Sequence, residues 1–192
     1  MVDNRVPQTE IFNVRTTISG TKKDPILAGV RRKPKRVEKV VKLKAIDLEL
    51  ALVSYYNPRE YLIVPNVSWG LMNYEVDMLI LSKTGYATEI EIKVSKYDCW
   101  ADTKKKHGHQ NKIVKHLYFA LPDYLLEKCI QYIPPHAGIF TIGWKRKDCK
   151  IVRSPETQNK YKFTIEQRAK LGRLGALRIW KLKRKLYGRE EI

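Results

Sequence analysis

Hydrophobic and polar positions alternate most clearly in residues 74–95, YEVDMLILSKTGYATEIEIKVS. A period of two residues is typical of strands, because successive side chains of a strand point to opposite faces of the sheet. The alternation is interrupted at Lys83-Thr84-Gly85, where glycine at the third position fits a three-residue hairpin loop. The segment is therefore predicted to be a β-hairpin in which Ser82 faces Tyr86.

The rest of the chain contains signals for four helical stretches and four more strands. Proline residues end two of the helices, and capping-box spacing marks the start of two others. The helices are predicted over 45–56, from Ser95 to a break near Gly108, over 122–133 and over 165–187, and the strands over 60–65, 116–121, 138–143 and 148–153. Strands and helices mixed in this order predict an α/β sandwich around one sheet.

Charge is concentrated at the two ends of the chain, which carries a formal net charge of +18. Residues 1–44 hold 12 Lys/Arg against 4 Asp/Glu, and residues 159–192 hold 11 against 3, whereas 45–158 is nearly neutral. We interpret these parts as a basic arm containing Arg32 and Lys33, a globular domain and a basic terminal helix. Such a distribution favours a polyanionic partner, above all nucleic acid, through the release of counterions.

The terminal helix combines this basic charge with an apolar stripe at Leu171, Leu174, Leu177 and Trp180. The favoured interpretation is that the stripe packs on the domain. The basic side chains, which include Arg178, Lys181 and Arg184, then contact phosphate. The alternatives are a helix that folds only on DNA and a helix that lies on a membrane surface.

Composition also limits the compartment in which the protein is expected. No apolar run approaches about 20 residues, so no membrane span is predicted. The first residues have no apolar signal-peptide core. The three cysteines form no C-x-x-C pair, which favours free thiols in a reducing compartment. A cytoplasmic protein is therefore expected.

The polar face of the predicted hairpin is the strongest candidate for chemistry. Its register places Asp77 opposite Glu91 and Glu75 opposite Lys93. Directly opposed like charges are destabilising, and a hard divalent cation such as Mg²⁺ would offset their repulsion. Lys93 would then hold or deprotonate a water, or neutralise charge on a phosphate. The alternative is an exposed polar face with an ordinary Glu75–Lys93 ion pair.

The polar segment after the hairpin supplies further candidates. Lys104, Lys105 and Lys106 form a cationic run that is expected to contact phosphate. Asp102 lies one helical turn after Asp98 and is expected to bind Lys106 or to help cap the helix. A zinc site at His107 and His109 is disfavoured, because no cysteine or carboxylate has a convincing spacing.

Asp77, thirteen intervening residues and Glu91-Ile92-Lys93 resemble the PD-(D/E)XK nuclease motif. Residues 70–155 further resemble the MmcB-like family of DNA-repair nucleases. The resemblance implies a restriction-endonuclease-like core, a mixed sheet with helices on both faces. It also implies that Asp77, Glu91 and the Ile92 carbonyl bind Mg²⁺, for which Mn²⁺ can substitute, and that Lys93 is the catalytic lysine. Glu49, on the helix before the first strand, is the candidate for an additional ligand.

These observations predict a metal-dependent nuclease that hydrolyses phosphodiester bonds in DNA during repair or processing. One alternative is a non-catalytic module that binds nucleic acid and retains the nuclease fold. A second alternative is a basic structural protein that assembles on RNA. The two differ from the first hypothesis in predicting no metal-dependent cleavage.

Overall fold

The computed structural model describes residues 42–188 except 69, 106, 107, 110 and 144–147. Within these residues the predicted order of elements is confirmed. The predicted arm lies outside them except for residues 42–44, and so do Arg32, Lys33 and Lys106.

Six strands form one mixed sheet whose spatial order follows the order of the chain. The strands are β1 (Leu62–Val67), β2 (Val76–Leu81), β3 (Ala87–Ile92), β4 (Val114–Pro122), β5 (Gly138–Ile142) and β6 (Cys149–Arg153). The central pairs β3–β4 and β4–β5 are parallel, whereas the outer pairs are antiparallel. The sheet is open and mixed, and the predicted α/β class is confirmed.

Four α-helices accompany the sheet in the described residues: α1 (Ala45–Tyr56), α2 (Lys96–Asp102), α3 (Leu126–Cys129) and α4 (Ile165–Leu186). The caps predicted from sequence are present, because Ser95 Oγ accepts a hydrogen bond from Asp98 N and Thr164 Oγ1 accepts one from Gln167 N. None of these helices is long and apolar enough to cross a bilayer.

One predicted helix, over 122–133, is wrong in form. The structure has β4 continuing through Pro122, followed by a 3₁₀ turn (Asp123–Leu125), the single turn of α3 and a second 3₁₀ turn (Ile130–Tyr132). Tightened ends of this kind are common where a helical segment is too short to propagate.

Both faces of the sheet are buried. Helix α1 packs on the face that carries Met78, Ile80, Ile90 and Ile92. The opposite face holds two further apolar clusters, one around Leu79 and α4, the other around Phe119 with α2 and α3. The face of the hairpin predicted to be polar is therefore covered, and β3 contributes Glu89 and Glu91 to it with almost no exposure.

Helix α4 packs through its first half. Leu171 is fully buried and Leu174 is partly buried against the Leu79 cluster, but Leu177 is 53% exposed and Trp180 is 58% exposed. The apolar stripe seen in the sequence thus continues beyond the part of the helix that the sheet covers.

Candidate metal centre

The hairpin brings Asp77 beside the end of β3. Its turn is as predicted, since Ser82 N donates to Tyr86 O (3.0 Å) and Gly85 has φ +92°. The pairing of Leu79 with Glu89 is also as predicted. Beyond that pair, Asp77 Oδ2 accepts a hydrogen bond of 2.8 Å from the backbone N–H of Ile92. The carboxylate therefore reaches the neighbouring strand next to Glu91.

Lys93 is held inside the protein by two carboxylates. Its Nζ lies 2.9 Å from Glu91 Oε2 and 2.6 Å from Asp102 Oδ1. Burial alone would lower the pKa of Lys93, but the charges and hydrogen bonds of Glu91 and Asp102 raise it above its usual value. Among the described residues, the alternative pair of Glu75 with Lys93 is not formed, and Glu75 is exposed.

Asp102, at the last residue of α2, binds three cations. Besides Lys93, its oxygens contact Lys105 Nζ at 2.7 Å and His109 Nε2 at 2.7 Å. Burial would raise the pKa of Asp102, but the hydrogen bonds from His109, Lys105 and Lys93 lower it well below the usual range. From the sequence, Asp102 was expected to bind Lys106 or to help cap its helix, and these three partners were not predicted.

His109 lies between carboxylates and is almost fully buried. Its Nδ1 is 2.9 Å from Glu89 Oε1 and 3.7 Å from Glu91 Oε1, while Nε2 faces Asp102. Burial would lower the pKa of His109, yet the hydrogen bonds to Asp102 and Glu89 raise it to about 9. This role was not predicted from the sequence. His109 follows Gly108 in an irregular turn, in which both residues have positive φ (+53° and +52°).

Glu89 completes this buried group. Its Oε2 accepts a hydrogen bond of 2.8 Å from the hydroxyl of Tyr74. Burial is the main cause that raises the pKa of the Glu89 carboxyl. Glu89, Glu91 and His109 offer one ligand atom each, all within 4.8 Å of one another.

Asp77, Glu91 and Glu49 form the carboxylate set predicted from the resemblance. The pKa of Asp77 is raised by burial and then by the charge of Glu91, and the pKa of Glu49 is raised by burial and then by the charge of Asp77. Glu91 is 1% exposed, and its Oε1 has no hydrogen-bond partner among the described residues. The structure therefore brings Asp77 within electrostatic reach of Glu91 and of Glu49.

The candidate phosphate-contacting residues are dispersed. Lys104 is exposed with Nζ 3.7 Å from the centre of the Trp100 ring. Lys105 is also exposed, but its Nζ contacts the buried carboxylates of Glu91 and Asp102. Arg178 donates to the backbone carbonyl of Asn66. Lys181 and Arg184 are exposed on the second half of α4.

Comparison with known proteins supports the fold alone. No family model matches the chain, and no curated protein matches it. The chain is similar to a solved structure of a protein of unknown function from Silicibacter pomeroyi, with 20% identity and a TM-score of 0.55. That similarity covers 77% of this chain and 94% of the other.

Proposed function

We propose that the protein is a metal-dependent nuclease that hydrolyses phosphodiester bonds in DNA. The observation that carries this proposal is a pair of neighbouring carboxyls: Glu91 is 1% exposed, and burial and the charge of Glu91 raise the pKa of Asp77. Two carboxylates close together in a buried place repel each other, and a bound cation relieves that cost. DNA repair and a cytoplasmic location are the context that the family resemblance and the composition predict.

The donors at this position fit Mg²⁺. Asp77, Glu91, the Ile92 carbonyl and Glu49 provide oxygen atoms, which hard cations such as Mg²⁺ and Mn²⁺ prefer. When bound, such an ion polarises the scissile phosphate and lowers the pKa of a coordinated water.

Lys93 acts in this proposal as a fixed positive charge. Burial alone would lower the pKa of Lys93, but the charges and hydrogen bonds of Glu91 and Asp102 raise it, which favours the protonated form over one that could take a proton from water. Its ammonium group is held in place before substrate binds, so it stabilises negative charge that develops on the phosphate without reorganising. Of the two roles expected from sequence, charge stabilisation is therefore favoured over deprotonation.

The test is cleavage of labelled single-stranded, duplex and flapped DNA in Mg²⁺, Mn²⁺ or EDTA. We expect metal-dependent products, and we expect Lys93→Ala to lower their rate by roughly 100-fold or more, the usual effect of removing a charge-stabilising group. Lys93→Ala also leaves Glu91 and Asp102 without their shared cation, so its folding is checked by circular dichroism. Asp77→Asn, which can still accept the Ile92 hydrogen bond, provides a second inactive variant. Equal cleavage by both folded variants would contradict the proposal.

A second candidate is a DNA-binding module without catalysis. One observation favours it: Lys93, Lys105 and His109 already neutralise Glu89, Glu91 and Asp102 inside the protein. This candidate predicts salt-sensitive binding with no products in any metal, so the same panel of substrates separates the two.

A further inference from the structure

We propose that Glu89, Glu91 and His109 form an inner site for a divalent transition-metal ion of the Zn²⁺ and Mn²⁺ class. This site uses Glu91 Oε1, whereas the ammonium groups of Lys93 and Lys105 contact Glu91 Oε2. It is distinct from the oxygen-only site at Asp77, with which it shares Glu91. The inference does not depend on nuclease activity.

The spacing of the ligand atoms is the first argument. His109 Nδ1 lies 2.9 Å from Glu89 Oε1 and 3.7 Å from Glu91 Oε1. Ligands about 2.1 Å from a metal are about 3.0 Å apart at right angles and about 3.4 Å apart in a tetrahedron. Two of the three separations are therefore close to those of ligands that share one ion, and all three atoms lie within 4.8 Å of one another.

The second argument is the unpartnered oxygen. Glu91 is 1% exposed, and its Oε1 has no hydrogen-bond donor among the described residues although it faces the ring of His109. Its other oxygen, Oε2, is the one that contacts Lys93 and Lys105. Lys93 and Lys105 thus hold the carboxylate through Oε2, and the unsatisfied Oε1 is turned towards Glu89 and His109.

The outer contacts are those that support metal ligands. Asp102 contacts the Nε2 of His109 at 2.7 Å, which fixes the ring so that Nδ1 is the nitrogen facing the two glutamates. Carboxylates hold metal-binding histidines in this manner in many proteins. The hydroxyl of Tyr74 likewise holds Glu89 Oε2 and leaves Oε1 towards His109. All three candidate ligands are therefore oriented by a second group.

Charge balance agrees with a bound cation. The ligands and the groups that contact them include three carboxylates and two ammonium groups, namely Glu89, Glu91, Asp102, Lys93 and Lys105. With a neutral imidazole, these groups leave one negative charge, which favours the binding of a cation. When Glu89 and Asp102 are both ionised, their hydrogen bonds with His109 use an N–H on each ring nitrogen. Binding of the ion at Nδ1 then releases the Nδ1 proton to solvent.

The donor set selects the kind of metal. Imidazole nitrogen suits Zn²⁺ and other transition ions, whereas Mg²⁺ is bound by oxygen atoms and keeps several waters. The cluster is also too enclosed to leave Mg²⁺ its waters, because all three ligands are buried. The inner site is therefore expected to discriminate against Mg²⁺, unlike the site at Asp77.

The first test is electron spin-echo spectroscopy on untagged protein loaded with Mn²⁺. Coupling to an imidazole nitrogen is expected in the wild type, because only the inner site has a nitrogen ligand. The coupling should be lost in His109→Gln and retained in His116→Gln, a control on β4 whose ring contacts Thr157. Coordination by oxygen alone in the wild type, or a coupling that survives His109→Gln, would overturn the proposal without requiring any variant at the glutamates.

The second test measures affinity by calorimetric titration with Zn²⁺. Glu89→Gln, which can still accept the Tyr74 hydrogen bond, is expected to weaken binding at least tenfold, whereas Asp77→Asn should leave the inner affinity within about twofold. Equal affinity of wild type and folded Glu89→Gln, or no Zn²⁺ binding by the wild type, would overturn the inner site.

The inner site and the nuclease proposal can fail separately. Cleavage of DNA by a protein without nitrogen coupling would refute this site and leave the nuclease proposal standing. Nitrogen coupling in a protein that cleaves no DNA would support the inner site and refute the nuclease proposal.

Discussion

Asp77 occupies a position at which a carboxylate reduces stability unless a cation accompanies it. Burial and the charge of Glu91 both raise the pKa of Asp77, so its ionised form is disfavoured in the metal-free protein. Asp77→Asn removes the charge but can still accept the hydrogen bond from Ile92 N. We expect this variant to unfold about 1–3 °C higher in EDTA, as relief of a like-charge contact predicts for a chain of this size.

Thermal unfolding with and without Mg²⁺ checks this prediction. Mg²⁺ should raise the midpoint of the wild type and leave that of Asp77→Asn unchanged. Glu75→Gln removes an exposed charge just before the same strand and should behave like the wild type. An unfolding midpoint of the wild type that Mg²⁺ does not change would count against a metal site at Asp77. An Asp77→Asn variant that is less stable than the wild type in EDTA would do so too.

Asp102 is expected to matter more to stability than its neighbour Asp98. Asp102→Ala leaves Lys93 and His109 buried without their shared carboxylate, and loss of one partner in a buried ionic network costs about 3–5 kcal/mol. Asp98→Ala, one turn earlier and exposed, should cost less than about 1 kcal/mol. Urea denaturation of both variants measures the difference, and equal costs would show that the network does not stabilise the fold.

At the residue scale, the site residues on the paired strands could be predicted from sequence. The site residues whose positions depend on tertiary packing could not. Asp77 and Glu91 could be placed together because one tight turn fixes the pairing of their strands. Asp102 and His109 come from a helix end and an irregular turn, whose positions no local pattern defines. The histidine that was disfavoured as a ligand lacked carboxylate partners nearby in sequence but has three in space.

At the scale of elements, Gly85 and Gly172 predict opposite responses to the same substitution. Gly85 closes the hairpin at φ +92°, and a Cβ there would collide with the guanidinium of Arg168, so Gly85→Ala should lower the free energy of unfolding by about 1–3 kcal/mol. Gly172 lies inside α4 with open space around it, so Gly172→Ala should raise that energy by about 0.5–1 kcal/mol. Denaturant titration measures both, and a neutral Gly85→Ala would mean that the turn can adopt another form.

Elements whose ends are marked by local chemistry were predicted best. Helix α1 has its predicted bounds because Asn57-Pro58 prevents continuation, and α4 begins at its capping box. The segment 122–133 was predicted as one helix because it has suitable composition and proline at both ends. Its conversion into short turns depends on packing of Leu125, Cys129 and Ile133 under the sheet, which local propensity does not encode.

At the scale of the whole molecule, the alternating pattern identified strands but not which faces are covered. Burial of the face carrying Glu89 and Glu91 depends on α2, α3 and α4 folding back onto it. That covering places two carboxylates between apolar clusters, where they require Lys93, Lys105 and His109. The ionic network is therefore a consequence of tertiary topology. From the alternating sequence pattern alone, an exposed polar strand is the natural expectation.

Helix α4 provides the prediction that concerns the whole surface. Its first half is anchored by Leu171 and by the hydrogen bond from Lys170 to Gly70 O (3.0 Å), whereas Lys181 and Arg184 are exposed beyond the anchored part. If these two side chains contact phosphate, replacing both with alanine should reduce the slope of log affinity against log salt by about 2, with similar loss on every DNA sequence.

Fluorescence anisotropy with labelled duplexes over a range of salt concentrations measures this slope. Lys150→Ala, on the edge strand β6, removes another exposed charge away from the helix and should leave the slope unchanged. Circular dichroism should be the same for all variants, because the replaced side chains are exposed and alanine favours helix. An unchanged slope in the double variant would show that the end of α4 does not contact DNA. A comparable loss for Lys150→Ala would mean that total charge, rather than this helix, attracts the polyanion.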